Sequence, residues 1–245
     1  MYSLTICHLY PDILNLYGDR GNVIALQKRC LWRGIDVGIQ NISLGRPFSA
    51  EQCDILFIGG GQDFEQEIML EDFYKQHEEI KRYVENDGTV LAICGGYQML
   101  GKYYETEEKL IELPGVINIE TKSSKKRLIG NLVFEWVHNQ TGESYRAVGF
   151  ENHSGLTYLG EGVDPLGKVV KGFGNNGEDG YEGARYKNVF CSYSHGSLLP
   201  KNPHLADYIL SCAFKKKYPD APELQELNDR EELEANRSMI KRLLK

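Results

Sequence analysis

Residues 89–104 read Thr-Val-Leu-Ala-Ile-Cys-Gly-Gly-Tyr-Gln-Met-Leu-Gly-Lys-Tyr-Tyr. Thr89 to Ile93 is a short apolar run that follows the turn signal Asn86-Asp-Gly88. Such a run predicts a strand buried on both faces, as in a parallel sheet covered by helices. It ends at Cys94 and two glycines, and a helix-compatible segment follows. A sharp strand-to-helix turn lifts one side chain out at the carboxyl edge of a sheet. Glycines beside it permit strained backbone and close approach of a substrate. Cys94 occupies that position. A helix N-terminus lowers a thiol pKa, and the thiolate is the nucleophile. The competing reading is a buried structural cysteine at a tight turn.

Outward from this junction, strands are predicted at Ser3 to Leu9, Ile35 to Ile42, Asp54 to Ile58 and Asn188 to Tyr193. Helices are predicted from Asn22 to Arg33, over the segment ending near Glu85, and from Pro203 to Tyr218. Gly34 is a natural helix stop, and Pro203 suits a first helical turn. Ser49-Ala-Glu-Gln52 reads as a short capping box. Strands alternating with helices imply an α/β fold, a mostly parallel sheet with helices on both faces. Residues 110–188 are rich in glycine, β-formers and turns such as Gly172-Phe-Gly-Asn-Asn-Gly-Glu-Asp-Gly180. They predict a β-rich insertion grafted onto the sheet. Two regions result: a domain over 1–218 and a charged C-terminal helix over 219–245 that packs on the body or on a partner.

The chain has 245 residues, 41% apolar and 26% charged, with a formal net charge of -7. This is ordinary globular composition, and the acidic balance argues against nucleic acid as the main partner. The basic runs Lys122-Ser-Ser-Lys-Lys-Arg127 and Phe214-Lys-Lys-Lys217 read as solvated faces. No run reaches the ~18 apolar residues of a membrane span. The opening residues lack the features of a signal peptide, so a cytoplasmic location is expected. Six cysteines without a C-x-x-C pair, and scattered histidines, indicate neither a disulfide scaffold nor a metal site. There is no Walker A sequence.

A cysteine nucleophile needs a base. His195 follows a predicted strand and precedes Gly196, which sets it at a strand end. His153, in Gly149-Phe-Glu-Asn-His-Ser-Gly155, competes with it; His8, His77 and His204 are weaker candidates. Acyl transfer also needs preplaced oxyanion donors. The Gly95 N–H is one candidate. The loop Gly59-Gly60-Gly61, at another strand end, offers a second from Gly60 or Gly61.

Cys94-Gly-Gly-Tyr-Gln-Met-Leu-Gly101 after an apolar strand resembles the nucleophile motif of class I glutamine amidotransferases. Gly59-Gly-Gly-Gln-Asp-Phe-Glu-Gln66 resembles their oxyanion loop. Gly149-Phe-Glu-Asn-His-Ser-Gly155 and Ser192-Tyr-Ser-His-Gly196 resemble the closing motifs of the subgroup containing cobyric acid synthase glutaminase domains. The opening His8-Leu-Tyr-Pro-Asp-Ile-Leu-Asn-Leu-Tyr-Gly-Asp-Arg-Gly-Asn22 and Lys126-Arg-Leu-Ile-Gly-Asn131 are closer still to the GatD family of lipid II isoglutaminyl synthase subunits. The resemblance runs from Leu4 to about Tyr218 and implies a flavodoxin-like fold. It implies a glutaminase that hydrolyses L-glutamine and passes ammonia to a MurT-type Mur ligase. That partner uses ATP and magnesium to amidate the D-glutamate of lipid II at the inner membrane face; this subunit itself needs no cofactor. By motif, Cys94 is the nucleophile, His195 the base, Gly60 and Gly95 the oxyanion donors. Gln98 and Arg127 are substrate contacts, with Arg127 suited to the α-carboxylate by its planar fork.

The chain departs from the class at one point. Many members carry Glu two residues after the histidine, and here that residue is Ser197. An orienting carboxylate is therefore expected from Glu151, from Asp19, or from the partner. Three alternatives stay open on these residues: an amidotransferase subunit for another acceptor such as a corrinoid, a γ-glutamyl hydrolase, and a non-catalytic binding module.

Overall fold

The computed structural model describes residues 1–15, 18–61, 63–139 and 141–245, without the side chains of residues 63–68. The first half alternates as its sequence pattern dictates: β1 (Ser3–Leu9), α1 (Arg20–Leu31), β2 (Asp36–Ile42), β3 (Ile55–Ile58), α2 (Asp63–Glu85), β4 (Thr89–Ile93) and α3 (Gly95–Met99). The middle of the chain supplies β5 (Tyr103–Glu105), β6 (Leu110–Glu112), β7 (Ile119–Val137), β8 (Ser144–Leu159), β9 (Gly167–Lys171), β10 (Tyr181–Glu182) and β11 (Ala184–Tyr186). The chain closes with β12 (Val189–Ser192), β13 (Ser194–His195), α4 (Pro203–Lys217) and α5 (Arg230–Leu243).

The first sheet has the order β11-β12-β4-β3-β1-β2. All its pairings are parallel except that of β11 with β12 at the edge. Its five parallel strands follow the flavodoxin-like order. The sequence steps from β1 to β2 one way and from β3 to β4 the other way. Right-handed crossovers therefore place α1 and α2 on opposite faces. Every residue of β4 is buried, as its unbroken apolar run requires.

The β-rich region extends this sheet only by β11; most of it, beyond the sequence expectation, builds a second sheet of seven strands around the long β7–β8 pair. The chain enters the second sheet from β4 through α3 to β5 and crosses twice more at neighbouring points, from β10 to β11 through Gly183 and from β12 to β13 through Tyr193. Gly183 has φ 64°, and a Cβ there would run into the Cys191 carbonyl.

Two further expectations are corrected. Ser49 makes no capping hydrogen bond, and Ala50–Gln52 is a single 3₁₀ turn. The C-terminal region is helical only over α5. The preceding stretch, 219–229, lies along α1, where Arg33 donates to the Gln225 carbonyl and Arg29 pairs with Asp229. Leu243 of α5 packs with Val133 and Val148 of the second sheet, so this region is joined to the body.

Candidate active site

Cys94 sits between β4 and α3 with φ 48° and ψ −104°, a conformation that L residues adopt only under constraint. Three backbone hydrogen bonds supply that constraint. Cys94 N–H donates to Ser192 O at 2.9 Å, Gln98 N–H to Cys94 O at 3.0 Å, and Gly96 N–H to Gly59 O at 3.1 Å. A Cβ on Gly96 would stand 2.6–2.8 Å from Ile58 Cγ2, Ile58 O and Gly59 O. The glycine is thus required for α3 to start against the end of β3. The elbow holds the thiol where strands β3, β4 and β12 end.

His195 reaches this point from the other sheet. β13 pairs antiparallel with β8, setting His195 opposite Phe150. Its Nδ1 lies 3.4 Å from Asp19 Oδ2, and both side chains are almost wholly buried. Asp19 is the residue before α1. Its loop is tied to the histidine loop by Ser197 Oγ, which donates to Gly18 O at 2.7 Å. Ser197 thus fastens the loop that carries Asp19 to the loop that carries His195. A Cβ on Gly60 would meet His195 Cε1 at 2.8 Å, Asp19 Oδ2 at 3.0 Å and Cys94 Cβ at 3.3 Å. Four residues remote in sequence thus converge in one place, and Gly60 leaves room for the other three.

Burial by itself would lower the His195 pKa. The Cys94 thiolate and the Asp19 carboxylate outweigh it and raise the imidazole to about 10. The imidazolium is the favoured form at neutral pH, with the Asp19 carboxylate beside it. His8 behaves oppositely: burial in β1 and the nearby Arg20 push it down to about 4, which leaves it neutral.

The other residues named from the sequence fall as follows. His153 stacks on the Tyr193 ring at 3.7 Å, and its Nδ1 lies 2.7 Å from Gly155 O. Glu151 accepts from the backbone N–H groups of Phe173 at 2.7 Å and Gly174 at 2.8 Å. Its carboxylate thus anchors the 172–180 loop, while Asp19 faces the histidine. Gln98 is buried and donates from Nε2 to Tyr193 Oη at 3.0 Å. Arg127 is exposed on β7 and donates to Asn152 Oδ1 and O at 3.1 and 3.3 Å. Gly95 opens α3, where N–H groups have no partner within the helix. The Gly60 N–H donates to Asp19 Oδ2 at 3.0 Å. Gln62 and the side chains of 63–68, in the oxyanion-loop motif, lie outside the described residues.

Two supporting residues have no sequence signal of their own. Tyr193 Oη joins Gln98 to Thr157 Oγ1 at 2.6 Å, linking α3 to β8. Glu182 Oε1 accepts from Ser192 Oγ at 2.6 Å and from Tyr193 N–H at 2.9 Å, bracing the crossover that leads to His195. Among the described residues no group of three or more His, Cys, Asp or Glu could hold a metal ion. No helix among them is long and apolar enough to cross a membrane.

The profile of the CobB/CobQ-like glutamine amidotransferase domain matches residues 5–203. The chain is 46% identical over 220 residues to the lipid II isoglutaminyl synthase (glutamine-hydrolyzing) subunit GatD of Streptococcus pneumoniae, covering 89% of this chain and 83% of the relative. It is 41% identical over 244 residues to the Staphylococcus aureus GatD subunit, covering 99% and 97%. The solved PurLQS structure from Thermotoga maritima superposes with a TM-score of 0.55 at 15% identity, over 97% of this chain and 99% of that one, a likeness of fold alone. A nucleophile elbow, a histidine across from it and near-complete coverage by named relatives agree: the chain belongs to the CobB/CobQ-like glutamine amidotransferase family.

Proposed function

We propose that this chain is the glutaminase subunit of a lipid II isoglutaminyl synthase. The observation that carries the catalytic half is the convergence of Cys94, His195 and Asp19 on Gly60. The acceptor half rests on the two relatives, both named as glutamine-hydrolyzing GatD subunits.

The Cys94 thiolate attacks the side-chain amide carbon of L-glutamine and forms a tetrahedral oxyanion. Its collapse breaks the C–N bond as His195 gives its proton to the departing ammonia, leaving a thioester. Water then attacks with His195 as base, and glutamate leaves as the thiolate re-forms. Asp19 orients the imidazole and balances its charge, as a triad carboxylate does. Gly95 N–H is the first oxyanion donor. Gly60 N–H is bound to Asp19 Oδ2, so its service as a second donor requires that bond to be exchanged when glutamine binds. Arg127 is assigned to the α-carboxylate of glutamine, and Gln98 to the substrate side of the elbow.

Ammonia passes to a MurT-type ligase partner that binds ATP and magnesium and activates the D-glutamate α-carboxyl of lipid II. The complex works from the cytoplasm at the inner membrane face. The test measures glutamate and ammonia release from glutamine by wild type and Cys94→Ser, with and without the ligase subunit. Release by wild type, raised by the partner and lost in Cys94→Ser, supports the reading. Equal release by both proteins, or none, removes it. A preference for γ-glutamyl peptides over free glutamine would transfer the site to the hydrolase class.

A further inference from the structure

Lys201 closes the 3₁₀ turn Leu199–Lys201 that follows the histidine loop. Its side chain folds back, and Nζ donates to the backbone carbonyl of His195 at 3.1 Å. The same ammonium would lie 3.4 Å from a Cβ on Gly196. Gly196 and Ser197 have φ 68° and 53°, two consecutive left-handed residues. A turn of that kind needs outside support, and Lys201 spans it. Burial lowers the ammonium from its ordinary pKa, and the Asp19 carboxylate opposes the shift. A desolvated cation is costly unless paired. Here Nζ is partnered by the His195 carbonyl.

The lysine is held in turn from the C-terminal region. Asn236 of α5 donates from Nδ2 to Lys201 O at 2.9 Å and to Asn202 Oδ1 at 3.0 Å. Asn202 bonds both the N–H and the carbonyl of Val148, at 2.8 Å each. α5 thereby reaches the histidine loop through two side chains.

We propose that Lys201 is a positioning residue for glutamine hydrolysis: its ammonium pins the His195 turn through the backbone carbonyl, while α5 holds it through Asn236. The proposal rests on the glutaminase reading. It makes the C-terminal helix a working part of the site.

The test uses Lys201→Met, Lys201→Arg and Asn236→Ala in the full chain. Ammonia release is measured with the ligase partner, and alkylation of Cys94 by iodoacetamide is followed against pH. Wild type and Cys94→Ser run alongside, so loss of the parent reading shows separately, as absence of Cys94-dependent release in wild type. Removing a cation beside the His195 turn favours the protonated form of the imidazole. Lys201→Met is therefore expected to lower kcat on the order of tenfold, with KM within about twofold. Both pH profiles should move to higher pH. Lys201→Arg should restore most of the rate and the profile, and Asn236→Ala should fall between. A wild-type rate and profile in Lys201→Met would overturn the proposal. So would equal impairment of the Met and Arg variants with unshifted profiles. If Lys201→Met does not fold by circular dichroism, Lys201→Gln is read by the same criteria.

Discussion

Asp19 acts at the level of a single atom, because one oxygen, Oδ2, serves both His195 Nδ1 and the Gly60 N–H. Asp19→Asn should lower kcat/KM by about a hundredfold or more, since an amide neither balances an imidazolium nor fixes its tautomer. The sign of the pH effect follows from the same contact. The carboxylate raises the imidazole toward about 10, so its loss lowers that pKa. The alkaline limb of the kcat/KM profile should therefore move to lower pH in Asp19→Asn. An unchanged limb would remove Asp19 from the role. Gly60→Ala should cost at least about tenfold in kcat, because the added methyl meets His195 and Asp19 at 3.0 Å or less. Cys94 and His195 could be picked out in the sequence because each ends a recognisable strand. Asp19 could only be shortlisted beside Glu151. Nothing local separates two carboxylates whose fates depend on which loop reaches the histidine, and that was settled by Ser197 gripping Gly18.

At the scale of elements, the central strands β3 and β4 of the first sheet were legible because burial on both faces leaves an unbroken apolar run. The second sheet was not. β7 and β8 alternate between buried and exposed residues, and β7 carries many charged ones; period-two patterns do not say which sheet a strand will join. The decisive contacts are between the strands at the two crossovers. Glu182 is fully buried there, and Oε2 has no hydrogen-bond partner among the described residues. Burial raises its carboxyl to about 7, with the Glu151 charge adding to the effect. The folded state therefore holds a proton that the unfolded chain releases near pH 4.5. Stability should fall as pH rises from about 4.5 to 7, by the linkage between proton uptake and folding. Glu182→Gln keeps an oxygen acceptor for Ser192 and Tyr193 without the charge. It should be more stable than wild type at pH 8, on the order of 1–3 kcal/mol, with the gap closing toward pH 4.5. Denaturant titrations at the two pH values measure this, and a pH-independent gap would contradict it.

For the molecule as a whole, the C-terminal region was readable as charged and partly helical but not as to where it docks. Its attachments are long-range: Arg29 to Asp229 at 2.5 Å, Arg33 to the Gln225 carbonyl at 2.7 Å, and Asn236 to the Lys201 carbonyl at 2.9 Å. Ending the chain at Tyr218 would expose Val133 and Val148 and leave Arg29 with one of its two carboxylates. The melting temperature should drop by about 5–10 °C, with glutamine hydrolysis reduced beyond what the lower stability explains. A truncated chain with unchanged melting would show that the region merely rests on the surface.

The crossover at Tyr193 leaves Cys94 on one sheet and His195 on the other. The sulfur-to-nitrogen spacing is therefore a vernier for the tilt between two slabs of the molecule. A change in that tilt would alter the proton affinity of the imidazole before any glutamine arrived. Nitrogen-15 labelling of the histidines turns that into a spectroscopic gauge, in which the His195 line moves with the tilt while the buried, neutral His8 line stays as its internal reference.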